Sequence, residues 1–210
     1  MEKFNYSTDK LVIVAYPTGA GGKFLVNCLG ISEDACLQDW ELYDLTSTEK
    51  KKLILDRLAS TPKGTWNDLD LGCFKMFENN LDGMTAEEIH SIDWEFQKIV
   101  DISNGNKYYF QTTHDEQDYA KLVNTFPNAH TINFINCNQI KRDIYNLTND
   151  LNIESEFTFD VNNYKTKADT TNSIHRFYEH FNMKDFDSIF ISEYYEKWIA
   201  HITWMTLQAS

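Results

Sequence analysis

The sequence predicts an α/β fold built on a parallel sheet, and three observations lead to this class. Lys10–Tyr16 is a continuous apolar run, as expected of a parallel strand that is buried on both faces. The glycine-rich segment Pro17–Gly22 interrupts the run, and Lys23–Leu29 has the pattern of a helix that stops at Gly30. Further along the chain strands alternate with helices, which favours a parallel sheet with right-handed crossovers.

The remaining elements follow from hydrophobic periodicity and from helix-boundary residues. The predicted strands are Lys107–Thr113, His130–Asn136 and Ser188–Ser192. The predicted helices are Glu116–Thr125, Gln139–Asp150, Thr170–Phe181 and Glu193–Leu207, whereas Leu151–Lys167 is polar and has no clear period. Ligands of such sheets bind at the carboxyl ends of the strands, so the residues directly after each strand are the candidates for a site.

The residue pattern of the segment 39–106 differs from that of the rest of the chain and predicts a helical insertion beside the sheet. Thr46 with Glu49, and Thr85 with Glu88, form capping boxes, and each box precedes a helical pattern. The segment has no internal repeat and no low-complexity tract.

Length, charge and cysteine usage limit the class of protein. The length of 210 residues predicts a single domain, residues 1–210. The net charge of −13 argues against general affinity for DNA or RNA, whose phosphates it would repel. No apolar run is long enough for a membrane span and no signal-peptide pattern is present, so we expect a cytoplasmic protein without a membrane partner. The four cysteines are scattered, which predicts free thiols without a disulfide or zinc role.

The segment Tyr16–Phe24 is comparable to the Walker A pattern, G-x-x-x-x-G-K-[ST], in its Gly22-Lys23 pair. Pro17 stands where the pattern has its first glycine, and Phe24 stands where it has the hydroxyl that ligates Mg²⁺. The glycines allow backbone N–H groups to face an anion, the following helix adds its positive end, and Lys23 adds a point charge. The segment therefore predicts phosphate or sulfate binding without a metal; the alternative is that the glycines only make a tight strand-to-helix turn.

Four segments of the chain match the motifs of one enzyme family in the family's order. Tyr16-Pro17 and Gly21–Leu25 resemble a Y-P-x-S-G-T-T-[WF]-L loop, with one extra residue inside. Tyr109–His114 resembles a strand ending in K-[TS]-H, and Phe126–Asn136 resembles F-P-N-A-K-I-I-Y-I-V-R. Ile189–Tyr195 resembles a late strand ending in Y-E-D-L. Together these segments resemble the sulfotransferase family, which uses 3′-phosphoadenylyl sulfate (PAPS) without a metal.

The resemblance covers about residues 11–207. It implies a P-loop-type three-layer fold and transfer of a sulfuryl group from PAPS to a hydroxyl or amine of a small-molecule or glycan acceptor. It makes His114 the general base and Lys23 the residue that stabilises charge on the sulfuryl group. Asn136 stands where the family has an arginine for the 3′-phosphate, and Arg142 follows in the next predicted helix. The cofactor-binding residues that it implies are Thr18, Gly19, Ala20, Gly21, Gly22, Lys23, Phe24, Asn136 and Arg142.

Other interpretations stay open. Asp115 is a candidate cap for the next helix, which would make His114 an ordinary loop residue. The missing arginine favours a non-catalytic module that binds a nucleotide or an anion. A small-molecule kinase is the third alternative, and Asp115 is then the near candidate for a Mg²⁺ ligand.

The remaining candidate residues carry weaker signals. His175 and His180 lie five residues apart on different faces of one helix, so no zinc site is expected, and His130 is predicted to be structural. Glu193 is predicted to follow the last strand, where it could hold a loop or a substrate. The run Lys50–Lys52 is predicted to be a solvated helix face.

Overall fold

The computed structural model describes residues 9–17, 19–36, 45–60, 105–137 and 150–209, and for 202–209 it describes the backbone alone. Several predictions made from the sequence lie outside these residues. They are the helical pattern that follows Thr85 and Glu88, all but the last residue of the helix predicted over Gln139–Asp150, and the ligand-binding roles of Thr18 and Arg142. Only α2, defined below, represents the predicted insertion.

The described residues form four strands, five α-helices and one 3-10 helix. In chain order they are β1 (Leu11–Ala15), α1 (Gly22–Gly30), α2 (Ser47–Ser60), β2 (Tyr109–Thr113), α3 (Glu116–Thr125), β3 (His130–Ile135), β4 (Phe157–Asp160), the 3-10 helix (Val161–Lys165), α4 (Lys167–His180) and α5 (Ser188–Ala209). The strands form one parallel sheet in the order β2-β1-β3-β4. The prediction of an α/β fold with a parallel sheet is confirmed.

The register of the sheet brings the carboxyl ends of three strands together. Ala15, the last residue of β1, pairs with Thr113, the last residue of β2, and with Asn133 in β3. In the sheet β2, the next strand along the chain, lies on one side of β1, and β3 lies on the other side. A strand order of this kind creates a crevice at the carboxyl ends of the central strands, where ligands of open α/β sheets bind.

Helices cover both faces of the sheet. On one face Val12, Val14 and Phe134 are buried against α1, α4, α5 and the apolar side of α2. On the other face Leu11 and Ile13 pack with residues of α3. All five residues of β1 are fully buried, as the continuous apolar run predicts for a central strand. None of the helices in the described part of the chain combines the length and the apolar composition needed to cross a membrane.

The predicted last strand, Ser188–Ser192, is wrong because this segment is the first turn of α5. The Asp187 carboxylate begins the helix: its Oδ1 accepts hydrogen bonds from the backbone N–H groups of Ile189 at 3.0 Å and Phe190 at 2.9 Å. The segment that resembles the family's late strand is therefore helical. Glu193 follows no strand; it lies on the helix surface and pairs with Lys197 at 2.8 Å.

Leu151–Lys167, the polar segment without a clear period, contains β4, a strand of only four residues, and the 3-10 helix that follows it. One further prediction needs correction. The run Lys50–Lys52 is not uniformly solvated, because Lys50 is fully buried and Lys51 pairs with Asp187 at 2.9 Å. Cys28, Cys36 and Cys137 are buried free thiols.

Candidate functional site

The glycine turn connects the carboxyl end of β1 to the first turn of α1. Gly19 and Gly21 have φ angles of 88° and 84°, in the left-handed region that glycine adopts most readily. The Ala20 N–H donates to the Pro17 carbonyl at 3.0 Å, which closes the turn. Gly22 begins α1, whose first turn carries no acidic side chain. The positive end of the helix is therefore not neutralised from within its own first turn.

Aromatic rings pack directly on the turn. A Cβ atom on Gly22 would lie 2.2 Å from the ring of Tyr16, and a Cβ on Gly21 would lie 2.9 Å from the ring of Tyr164. The Tyr164 hydroxyl donates to the Gly21 carbonyl at 2.9 Å, and the Tyr195 hydroxyl donates to the Tyr164 carbonyl at 2.7 Å. Packing alone thus requires glycine at positions 21 and 22, whether or not the turn also holds an anion.

Phe24 points into the core at the position where the Walker A pattern has a hydroxyl. Its ring stacks on Trp198 and Tyr194, with ring centroids 4.4 and 4.8 Å apart. Its N–H donates to the Gly21 carbonyl at 3.1 Å. Its side chain and its N–H are thus both engaged within the protein, whereas Lys23, one residue earlier, is partly exposed.

His114 lies directly after β2 and is exposed. Its Nδ1 lies 3.0 Å from the Tyr16 carbonyl oxygen, and its ring meets the Tyr16 ring edge-on at 4.6 Å. A carbonyl oxygen only accepts hydrogen bonds, so Nδ1 carries the hydrogen. In the neutral ring the lone pair is therefore on Nε2, the nitrogen that a general base would use.

The acidic residues after His114 bind backbone groups. Asp115 caps α3, since its Oδ1 accepts from the Asp118 N–H at 2.8 Å, and this predicted cap is confirmed. The Glu116 carboxylate accepts from the Asn152 N–H at 2.7 Å. Tyr16 contacts the His114 ring through both its carbonyl oxygen and its own ring, and the sequence did not predict this contact.

Asn136 lies three residues beyond the partner of Ala15, at the same edge of the sheet. It has a φ of 60°, and its N–H donates to Asp150 Oδ2 at 2.8 Å, while the Cys137 N–H donates to Asp150 Oδ1 at 2.7 Å. The Asp150 carboxylate, which belongs to the same chain, thus accepts hydrogen bonds from the two N–H groups directly after β3. Burial and then the Asp150 charge raise the pKa of the Cys137 thiol to about 12, which keeps the thiol protonated.

The structure brings the glycine turn and His114 together, because the Tyr16 ring lies against both Gly22 and His114. Sequence reasoning missed Tyr164 and Asp150, which stabilise the two sides of this edge. Tyr164 is in a segment without clear periodicity, and Asp150 reaches Asn136 only through the fold.

The fold and this edge define the class: an α/β protein with a glycine turn and an exposed histidine at the carboxyl ends of adjacent parallel strands. No family model, no curated protein and no solved structure matches the chain.

Proposed function

We propose that this chain is a sulfotransferase-like enzyme that binds PAPS at the Gly19–Lys23 turn and transfers its sulfuryl group without a metal. The observation that carries the proposal is the hydrogen bond from His114 Nδ1 to the Tyr16 carbonyl, 3.0 Å long, next to the turn. It keeps the ring hydrogen on Nδ1, so the lone pair of the neutral ring is on Nε2. The burial of Phe24 supports the metal-free chemistry, because no hydroxyl stands at the usual Mg²⁺-binding position.

The reaction requires two roles from the chain. An acceptor oxygen or nitrogen bonds to the sulfur while the bond from sulfur to the bridging phosphate oxygen breaks, and the desulfated nucleotide leaves. Lys23 and N–H groups of the glycine turn stabilise the negative charge that grows on the bridging and sulfuryl oxygens. His114 Nε2 takes the proton from the acceptor.

A non-catalytic anion-binding module is the second candidate, and the contact between Asp150 and Asn136 favours it. The Asp150 carboxylate binds the N–H groups of Asn136 and Cys137, where the resemblance would place the 3′-phosphate arginine. A negative charge there opposes a second phosphate group nearby.

Substitutions of Lys23 and His114 test the proposal. We expect Lys23→Ala to weaken PAPS binding about tenfold to a hundredfold, since a hydrogen bond to a charged group contributes about 1.5–3 kcal/mol. We expect His114→Ala to keep PAPS affinity and to lower turnover by roughly two to four orders of magnitude, the usual contribution of a general base. Calorimetric titration measures affinity, and release of the desulfated nucleotide, with and without acceptors, measures turnover.

His175→Ala is the matched control, because His175 is also an exposed histidine but lies on α4. It should change neither quantity. Binding without turnover by the wild-type protein would leave the binding module as the function. A tenfold gain in affinity for ATP on adding Mg²⁺, compared with EDTA, would instead favour the kinase.

A further inference from the structure

Three potential metal ligands meet at the edge of the sheet opposite the glycine turn. His130 is the first residue of β3, Glu156 immediately precedes β4, and His180 is the last residue of α4. His130 Nδ1 lies 2.7 Å from Glu156 Oε2, and one ligand atom from each of the three residues lies within 4.8 Å of the other two. The fold assembles this group: parallel pairing of Ile132 with Phe157 brings Glu156 beside the start of β3.

The surroundings of the cluster hold its side chains in place. The Glu156 N–H donates to the Thr131 hydroxyl at 2.8 Å, which fixes the backbone of the carboxylate. The His180 ring packs on the Phe157 ring with centroids 4.2 Å apart, and the His130 ring packs on Phe181 at 5.2 Å. Ordered ligands lose less conformational entropy when they bind an ion.

The ligand set selects among metals. Two imidazoles and one carboxylate are ligands of Zn²⁺ and similar transition ions, whereas Ca²⁺ and Mg²⁺ prefer sites made of oxygen atoms. Tetrahedral Zn²⁺ with bonds of about 2.1 Å needs ligand atoms about 3.4 Å apart. This spacing is longer than the 2.7 Å between His130 Nδ1 and Glu156 Oε2, and all three ligand atoms lie within 4.8 Å of one another. Zn²⁺ binding therefore requires an adjustment of side-chain torsions, and Glu156 and His180 are the two exposed members of the cluster.

A cavity adjoins one of the three ligands. His180 lines this cavity of about 340 Å³, together with Tyr108, Phe181, Asp34 and Lys184. Three protein ligands with an accessible fourth position is an arrangement that zinc sites use with water or another small ligand.

We propose that His130, Glu156 and His180 bind one Zn²⁺ ion. The six-residue strand β3 separates this site from the carboxyl edge by on the order of 20 Å, so the ion takes no part in the proposed sulfuryl transfer. Its effect is to tie together the starts of β3 and β4 and the end of α4.

The test is Zn²⁺ titration of the tag-free full chain after treatment with a chelator. We expect one Zn²⁺ per chain, measured by competition with a chromogenic chelator, and a higher thermal midpoint when Zn²⁺ is bound. His180→Ala and Glu156→Gln should each weaken Zn²⁺ binding by at least about tenfold and abolish the thermal shift. Both residues are exposed, so these variants keep the core intact.

His175→Ala is the control within the same helix, and it should bind Zn²⁺ as the wild type does. Equal weakening by His175→Ala and His180→Ala would overturn the proposal, since it would indicate binding to scattered surface histidines. A wild-type chain that binds no Zn²⁺, or that binds Mg²⁺ equally well, would also overturn it.

Discussion

Lys50 is a fully buried lysine on α2, and its amine is held by two backbone carbonyls. Nζ donates to the carbonyl of Ser32 and, at 2.6 Å, to the carbonyl of Ala35, both just beyond the end of α1. Desolvation, followed by the charge of Lys107, lowers the pKa of Lys50 to about 8. A neutral amine still has two N–H donors, so both hydrogen bonds survive deprotonation.

Deprotonation of Lys50 makes the stability of the protein depend on pH. An unfolded lysine keeps its proton up to its ordinary pKa of 10.5, whereas the folded one loses it near 8, so the unfolded state binds more protons between these values. The free energy of unfolding contributed by Lys50 therefore rises with pH in that window, by about 1 kcal/mol between pH 8 and pH 9. Urea unfolding at both pH values measures the change.

Lys50→Met isolates this contribution from the other groups that titrate nearby. Burial raises the pKa of the Cys28 thiol, so Cys28 makes stability fall with pH in wild type and variant alike. The difference in unfolding free energy between wild type and Lys50→Met should therefore change by about 1 kcal/mol from pH 8 to pH 9 in favour of the wild type. A difference that stays constant with pH would contradict the prediction.

At the scale of the element, the ring of Tyr16 leaves no room for a side chain at Gly22 in the glycine turn. We expect Gly22→Ala to destabilise the protein by about 1–3 kcal/mol, because the new Cβ would lie 2.2 Å from that buried ring. The first turn of α1 would have to shift, so the affinity for PAPS should fall as well. Chemical denaturation and calorimetry measure the two effects.

A double-mutant cycle with Tyr16→Leu separates this clash from a general effect of alanine. In the Tyr16→Leu background the ring is absent, so Gly22→Ala should cost less than it does in the wild type. Equal costs in the two backgrounds would show that the ring does not set the requirement for glycine.

Some elements could be predicted from the sequence because their signals are local. α3 spans Glu116–Thr125 as predicted, and its Asp115 cap is visible in the sequence. The Thr46–Glu49 capping box is also confirmed, with the Thr46 N–H donating to Glu49 at 2.8 Å. The start of α5 was missed because Ile189–Ser192 is rich in β-forming residues, and the cap at Asp187 was not recognised.

Candidate site residues divide in the same way. The glycine turn and His114 could be found because each directly follows a strand, and parallel strands end at one edge. The proposed metal cluster could not be found in this way; it consists of His130, Glu156 and His180. His180 reaches the cluster from the end of α4, whereas the spacing of residues within that helix relates His180 only to His175. Contacts set by tertiary register leave no local pattern.

At the scale of the whole molecule, β1 is the centre of the described sheet. Its five residues are fully buried, and it pairs with β2 on one side and β3 on the other. We expect the amides of β1 to exchange with solvent only on global unfolding, because their hydrogen bonds lie in a buried strand that is paired on both sides. Those of α2, which buries only Ser47, Lys50, Ile54 and Leu58, should exchange through local opening.

Hydrogen exchange followed by mass spectrometry over increasing urea measures both classes of amide. The α2 amides should show a smaller dependence on urea than the β1 amides. Amides of α2 that are protected as strongly as those of β1 would contradict this view of the sheet.

The register of β1 also determines how long this strand stays unpaired while the chain is being synthesised. Leu11 pairs with Tyr109, about 100 residues later in the chain. At about 5–20 residues per second, the first partner strand emerges about 5–20 seconds after β1. For that time the apolar segment Leu11–Ala15 has neither of its neighbours and is an unpaired strand on a nascent chain. The residues that end up fully buried are therefore an exposed apolar segment for several seconds of synthesis, when they can pair with other chains.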